Sequence, residues 1–145
     1  MKITIETPKQ GEEEEIIIRC NSMDEKLLNL IYSLKTERDK LTGYTEDKIV
    51  KLVPKEIFYF ESVDNKVFAY TANGVYEIHK KLYELENDYM NSDFMRVSKS
   101  AIVNLAKIAY IRPIFNGRFE AKLKNNEKMI ISRQYVTELK KKLEI

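Results

Sequence analysis

Basic and amide side chains gather where this chain turns: Asn65 and Lys66, Arg96, Lys99, Asn116 with Arg118, Lys124, and Arg133 with Gln134. Carried on loops at one edge of a rigid β-scaffold, such groups can reach outward into a nucleic-acid groove. Arginine pairs in bidentate fashion with guanine O6 and N7, asparagine or glutamine with adenine, and lysine reaches guanine or phosphate. Ser98 and Ser100 could add hydroxyl donors to phosphate oxygens. The net charge of +2 hides an uneven distribution. From Met90 onward there are 12 Lys+Arg against 5 Asp+Glu; before it there are 13 against 18, including the acidic run 12–15. A basic C-terminal segment beside an acidic N-terminal one can bind a polyanion although the whole chain is near neutral. The plainer reading is a solvated surface with chance clustering.

Other chemistries lack their residues. Glycines stand isolated at 11, 43, 74 and 117, so no Gly-rich phosphate loop can form. His79, the one histidine, lies beside Lys80 and Lys81 with no nucleophile or metal ligand and reads as a surface or boundary residue. Cys20 follows Ile16-Ile17-Ile18 and reads as a small core residue rather than a catalytic thiol. No zinc set and no EF-hand spacing occur, and nothing brings Glu61 and Asp64 together as an acid/base pair. The expectation is a non-enzyme without cofactor, metal or small-molecule substrate. No run is apolar enough to span a membrane, and the alternating start is no signal peptide, which makes a cytoplasmic location the default. Nine Tyr and six Phe raise the alternative of an RNA stacking platform. Phe58 with Phe60, and Phe68 with Tyr70, share a strand face at period two, and core packing explains them with fewer assumptions.

The elements that must position these side chains are short. A length of 145 residues suits one domain with a small appendage. Residues 3–7 and 14–19 read as strands joined by a turn over 8–11. Ser22 and Glu25 then have the form of a capping box. Met23, Leu27, Leu30, Ile31 and Leu34 make one apolar helix face after it, completing a β-β-α unit. Residues 36–48 read as a linker. Strands follow at 49–53, 57–62, 66–71, 75–78, 108–115, 118–123 and 128–132. Asn73-Gly74 and Asn116-Gly117 signal type I′ hairpins, and Asn125-Asn126 a further turn. Pro113 suggests an edge position or a bulge. Helical spacing marks 77–90 through Ile78, Leu82, Leu85 and Tyr89, and 134–145 through Tyr135, Leu139 and Leu143. Residues 98–104 are short and polar and compatible with a helical turn.

Three blocks, taken in order, resemble the LytTR DNA-binding domain. The first is Ile57-Phe58-Tyr59-Phe60-Glu61-Ser62 with Asn65-Lys66 and Asn73-Gly74. The second is Phe94-Met95-Arg96-Val97-Ser98-Lys99-Ser100 with Ile102-Val103-Asn104 and Ile108, behind the helix Leu82-Tyr83-Glu84-Leu85-Glu86. The third is Asn116-Gly117-Arg118 with Ile130-Ile131-Ser132-Arg133. The resemblance runs over about residues 49–143, and its middle block is the most specific.

The resemblance implies a mainly β fold: an antiparallel β DNA-binding domain with short helices over 48–145, preceded by a small α+β extension and linker over 1–47. It implies a sequence-specific transcription regulator whose loops enter successive major grooves at promoter direct repeats, as a homodimer at least on double-stranded DNA, and bend it. Carried over residue by residue, the base readers are Asn65 (or its neighbour Lys66), Lys99 and Arg133. Lys66, Arg96, Ser98, Ser100, Arg118, Lys124 and Gln134 are the backbone contacts. Lys99 replaces the asparagine of some members, and His79 lies too far from the first position to serve as the histidine others place there. Fewer than 50 residues precede the domain, without room for a receiver, as in stand-alone regulators, some of which a small membrane protein restrains. The alternative is a β-rich protein–protein interaction module without a nucleic-acid role.

Overall fold

Turn chemistry sets the hairpins of the fold, seen in a computed structural model that describes residues 2–38 and 41–145. After helix α1 (Glu25–Arg38) come strands β1 (Leu41–Tyr44), β2 (Ile49–Leu52), β3 (Ile57–Val63), β4 (Lys66–Thr71) and β5 (Gly74–Ile78). Helix α2 (Leu82–Asp88), β6 (Phe94–Ser98), β7 (Ala101–Asn104), β8 (Ile108–Pro113), β9 (Phe119–Leu123), β10 (Lys128–Ile131) and helix α3 (Arg133–Lys142) complete the chain. Asp64 and Asn65 join β3 to β4 with φ of 51° and 63°, the left-handed pair that a two-residue type I′ turn requires. Between β8 and β9 the connection is longer than a two-residue hairpin: Pro113 pairs with Phe119, and Asn116 and Gly117 take the left-handed conformation, at 64° and 71°, within residues 114–118. Between β4 and β5 the expectation needs correcting. Thr71 pairs with Gly74, so Ala72 and Asn73 form the turn and the glycine opens the strand. Thr71 Oγ1 closes that turn itself, accepting from Asn73 N–H at 3.2 Å and donating to Gly74 O at 3.0 Å.

All pairings are antiparallel, in two sheets: seven strands in the order β2-β1-β5-β4-β3-β7-β6, and three in the order β10-β9-β8. Pro113 falls on β8, an edge strand, as its missing N–H demands. One face of the large sheet packs on α2 through Ile57, Phe60, Val67, Ala69, Ile78, Leu82, Leu85, Tyr89, Phe94 and Ile102. Its other face, through Phe58, Met95, Val97, Ala101 and Val103, packs on the small sheet and α3 through Ala121, Leu123, Ile131 and Leu139. Phe58 and Phe60 therefore do not share a face. A β-bulge between Ile57 and Tyr59 inserts one residue and reverses the alternation. On β4 it is Val67 and Ala69 that are buried, while Phe68 and Tyr70 share the half-buried face.

Residues 98–104 are not a helical turn. Ala101–Asn104 is strand β7, buried along its whole length between the two cores, which is why it shows no alternation. Helix α2 starts at Leu82 rather than near 77, because Glu77 and Ile78 remain in the ladder with β4. Glu84 Oε1 accepts from Lys81 N–H at 3.2 Å to cap it.

The N-terminal segment departs most from expectation. Residues 2–24 form no strand. A turn at Lys9–Glu12 joins two exposed arms, with Ile3, Ile5, Ile16 and Ile17 each more than 60% exposed. Two strands alone bury too little to offset the entropy of ordering them. Cys20 is exposed rather than in a core, since the isoleucine run before it packs on no sheet. Helix α1 forms, but Asp24 rather than Ser22 caps it, its Oδ1 accepting from Leu27 N–H at 2.8 Å. Met23 and Leu30 of the expected apolar face are exposed, while Leu27, Ile31 and Leu34 are half-buried. The expected linker is also corrected. Leu41–Tyr44 is β1, paired with both β2 and β5, so the sheet begins before residue 48. Asp39 and Lys40 of that linker lie outside the described residues.

Candidate nucleic-acid interface

Strand direction gathers four chain-distant segments at one end of the two sheets. β3 runs toward its turn at Asp64-Asn65, and β7 lies antiparallel beside it with Glu61 opposite Ala101. Ser62 N–H donates to Ser100 O at 2.8 Å, so the Lys99-Ser100 turn stands next to the Asp64-Asn65 turn. With β4, β3, β7 and β6 in that order, the centres of the two hairpin tips are two strand spacings apart, about 10 Å. On the far side of β6, Ser132 N–H donates to Val97 O at 2.8 Å and sets the start of α3, with Arg133 and Gln134, beside the second tip. The Asn116-Gly117 turn completes the row. Gly117 takes a φ of +71°, which favours glycine, and a Cβ there would stand 3.0 Å from Arg133 Cδ, so the turn lies close against the arginine stem.

Asn65, Lys66, Lys99, Ser100, Arg133 and Gln134 are exposed on this end, with Ser98 and Arg118 half-buried. Lys124 is not brought to it. Its N–H donates to Lys107 O at 2.8 Å at the opposite end of β9. Arg96 is at this end but faces inward, with 16% of its side chain exposed. Its Nε donates to Ser98 O at 2.7 Å and a terminal nitrogen to Lys99 O at 2.5 Å, while Glu86 flanks it at 3.4 Å. This guanidinium holds the turn that presents Lys99. Ser100 N–H donates to Ser98 Oγ at 3.2 Å, tightening the same turn. Arg118 Nε donates to Phe115 O at 3.2 Å, and Ile114 N–H to Arg118 O at 2.9 Å, so the last tip is braced as well. Lys66 is exposed and 4.0 Å from Glu77.

Other side chains lie at this end that the sequence did not single out. A shallow concavity beside Asn65 and Lys66 is lined by His79, Lys80 and Lys81, and β-pairing across Val67 and Ile78 brings these side chains there. His79 is exposed, stacked on Tyr44 at 3.8 Å and 3.3 Å from Glu77. Phe115, expected within a strand, stands 80% exposed at the braced tip. The signal available was its place directly before Asn116-Gly117.

Behind the tips the scaffold is cross-linked. Asn104, the one buried polar side chain among the described residues, donates to Ile57 O at 2.9 Å and accepts from Ala106 N–H at 3.1 Å. Tyr59 and Tyr70 stack at 4.3 Å across β3 and β4. Tyr59 donates to Glu127 at 2.7 Å, tying the large sheet to the β9–β10 turn, and Tyr70 donates to Glu61 at 3.3 Å. Burial pushes both phenols above their ordinary value, aided by the Glu127 hydrogen bond at Tyr59 and by the Glu61 charge at Tyr70.

Known proteins share this arrangement. The profile of the LytTr DNA-binding domain matches residues 47–144. The LytTr DNA-binding domain of a methyl-accepting/DNA response regulator from Bacillus cereus superposes with a TM-score of 0.70 at 24% identity, covering 74% of this chain and 99% of that one. The sensory transduction protein LytT of Bacillus anthracis is 38% identical over 109 residues, and that of Bacillus subtilis 35% over 106. These matches cover 75% and 73% of this chain but 44% of each relative, so the chain spans less than half of their length. An uncharacterized HTH-type transcriptional regulator of Staphylococcus aureus is 28% identical over 148 residues, covering 100% of this chain and 99% of its own. Two antiparallel sheets with their basic turns gathered at one end, together with a profile match over two thirds of the sequence, place this chain in the LytTR DNA-binding domain family.

Proposed function

We propose that this chain is a sequence-specific transcription regulator that reads promoter DNA with the tips gathered at one end of its sheets. The observation that carries this reading is the convergence of Asn65 and Lys99 on two neighbouring hairpin tips with Arg133 at the start of α3, all three exposed in one row. Asn65, Lys99 and Arg133 read base edges in the major groove. Lys66, Ser98, Ser100, Arg118 and Gln134 hold phosphates around them. Arg96 acts through the Lys99 turn, and Lys124, at the far end, stands outside the row. Direct repeats are the matching target, each bound by one protomer of a homodimer.

The extension serves dimerisation. Its isoleucines, with Met23 and Leu30, form an exposed apolar surface on an acidic segment that cannot itself approach DNA. The small membrane partner that the family resemblance implies would compete for this surface. Gel shifts with promoter fragments test DNA binding, and absence of salt-dependent binding to every fragment would sink it. Chromatography of residues 41–145, which contain both cores, tests the dimer; unchanged association after removal of the extension counts against that role.

A further inference from the structure

We infer that Phe115 reads DNA directly, by packing its ring against a thymine C5-methyl in the groove that Arg133 enters. This rests on the base-reading role proposed above for Arg133. Phe115 is the most exposed aromatic among the described residues, at 80%, and it contributes to neither core. Its neighbour Phe119, four residues on, packs into the second core beneath Lys140. An apolar ring held out in water gains nothing for the fold. It is nevertheless held firmly, since its carbonyl accepts from Arg118 Nε and the next two residues both adopt the left-handed conformation.

The position of this ring decides what it can touch. Gly117 lies against the Arg133 stem, so the Phe115 tip and the Arg133 side chain enter the same groove together. In the major groove the apolar group offered by a base pair is the thymine methyl. Apolar wedges that part base steps work from the minor groove, the side an Arg133 reading guanine O6 and N7 does not face. Phe115 thus adds a thymine preference next to the base pair that Arg133 reads, using a residue type that carries no charge.

The test starts from the duplex that full-length protein enriches from a random pool, in which each thymine is replaced in turn by deoxyuridine. Affinities of the unaltered chain, Phe115→Ala and Phe115→Leu are measured by fluorescence anisotropy, with thermal melts to confirm folding. Loss of one methyl contact should weaken the unaltered chain about fourfold at one thymine. Phe115→Ala should bind both duplexes equally at the weaker level, and Phe115→Leu should keep part of the difference. Equal losses for Phe115→Ala on thymine and deoxyuridine duplexes would overturn the methyl contact, as would binding unchanged by the substitution. Failure of the unaltered chain to enrich any duplex would instead overturn the base-reading function itself, and this inference with it.

Discussion

Asn104 lies in the most specific block of the sequence, yet its side chain is 2% exposed and touches only backbone. Replacing it with leucine keeps the branched outline but adds volume, and removes its hydrogen bonds to Lys55 O, Ile57 O and Ala106 N–H. Ile57 O is then a buried carbonyl without this donor, at a cost of about 1–3 kcal/mol. Ala106 N–H, in a turn open to water, loses a cap-like acceptor and adds about 0.5–1 kcal/mol. The sum, about 1.5–4 kcal/mol, corresponds to a urea midpoint lower by roughly 1–2.7 M at a slope of about 1.5 kcal/mol per M. Urea titration followed by circular dichroism measures it. At low temperature, where Asn104→Leu remains folded, its affinity for DNA should stay within about twofold of the unaltered chain. A variant of full stability with lost DNA affinity would refute the reasoning, because Asn104 would then be contacting the ligand rather than the scaffold.

Arg133→Ala should cost roughly 1–3 kcal/mol of binding and relax selection at one base pair, read by repeating the random-duplex enrichment. Uniform weakening on all sequences would contradict its base-reading role. Lys66→Ala should weaken binding to every duplex and lower the slope of log affinity against log salt by about 0.9, measured by anisotropy across a salt series. Arg96→Lys cannot hold the Ser98 and Lys99 carbonyls with one planar fork, so preference at the base pair under Lys99 should blur while the salt slope changes little. Since both tyrosine pKa values are raised in the fold, their contribution to stability is full below the unfolded phenol value near 10 and is lost as pH climbs from there through the folded values. Urea midpoints between pH 8 and 11 should fall at the upper end, and more gently in Tyr59→Phe.

The hairpin strands from Ile49 to Ile131 were legible because alternation and turn residues agree there. β6 and β7 were not: 94–98 was read as no element, and β7, buried along its whole length, loses its period, so that 98–104 resembles a helical turn. The bulge at Ile57–Tyr59 was equally hidden: Ile-Phe-Tyr-Phe carries no mark of the extra residue that sends Phe58 and Phe60 to different cores. In the extension the local pattern was present, but nothing packs on it, and pattern without burial does not make a strand. For the interface, residue type pointed to Asn65, Lys99 and Arg133. Whether a cation faces outward depends on neighbours distant in sequence, which is why Arg96 turns inward and Lys124 falls at the wrong end. The exposure of Phe115 was masked by its strand-like surroundings.

Each tip is fixed close to its own residues: by the left-handed pair at Asp64-Asn65, by the Arg96 fork around Lys99, and by the Arg118 brace at Phe115. The side chains at the tips are therefore not woven into the cores that hold them. A change of an exposed tip side chain such as Asn65 or Lys99 leaves both cores as they are. On the base-reading role proposed above, such a molecule can drift from one operator to another a base pair at a time, each intermediate still folded. Diversity of target among proteins built this way costs little stability, and duplicated copies can part in regulon while remaining alike in scaffold.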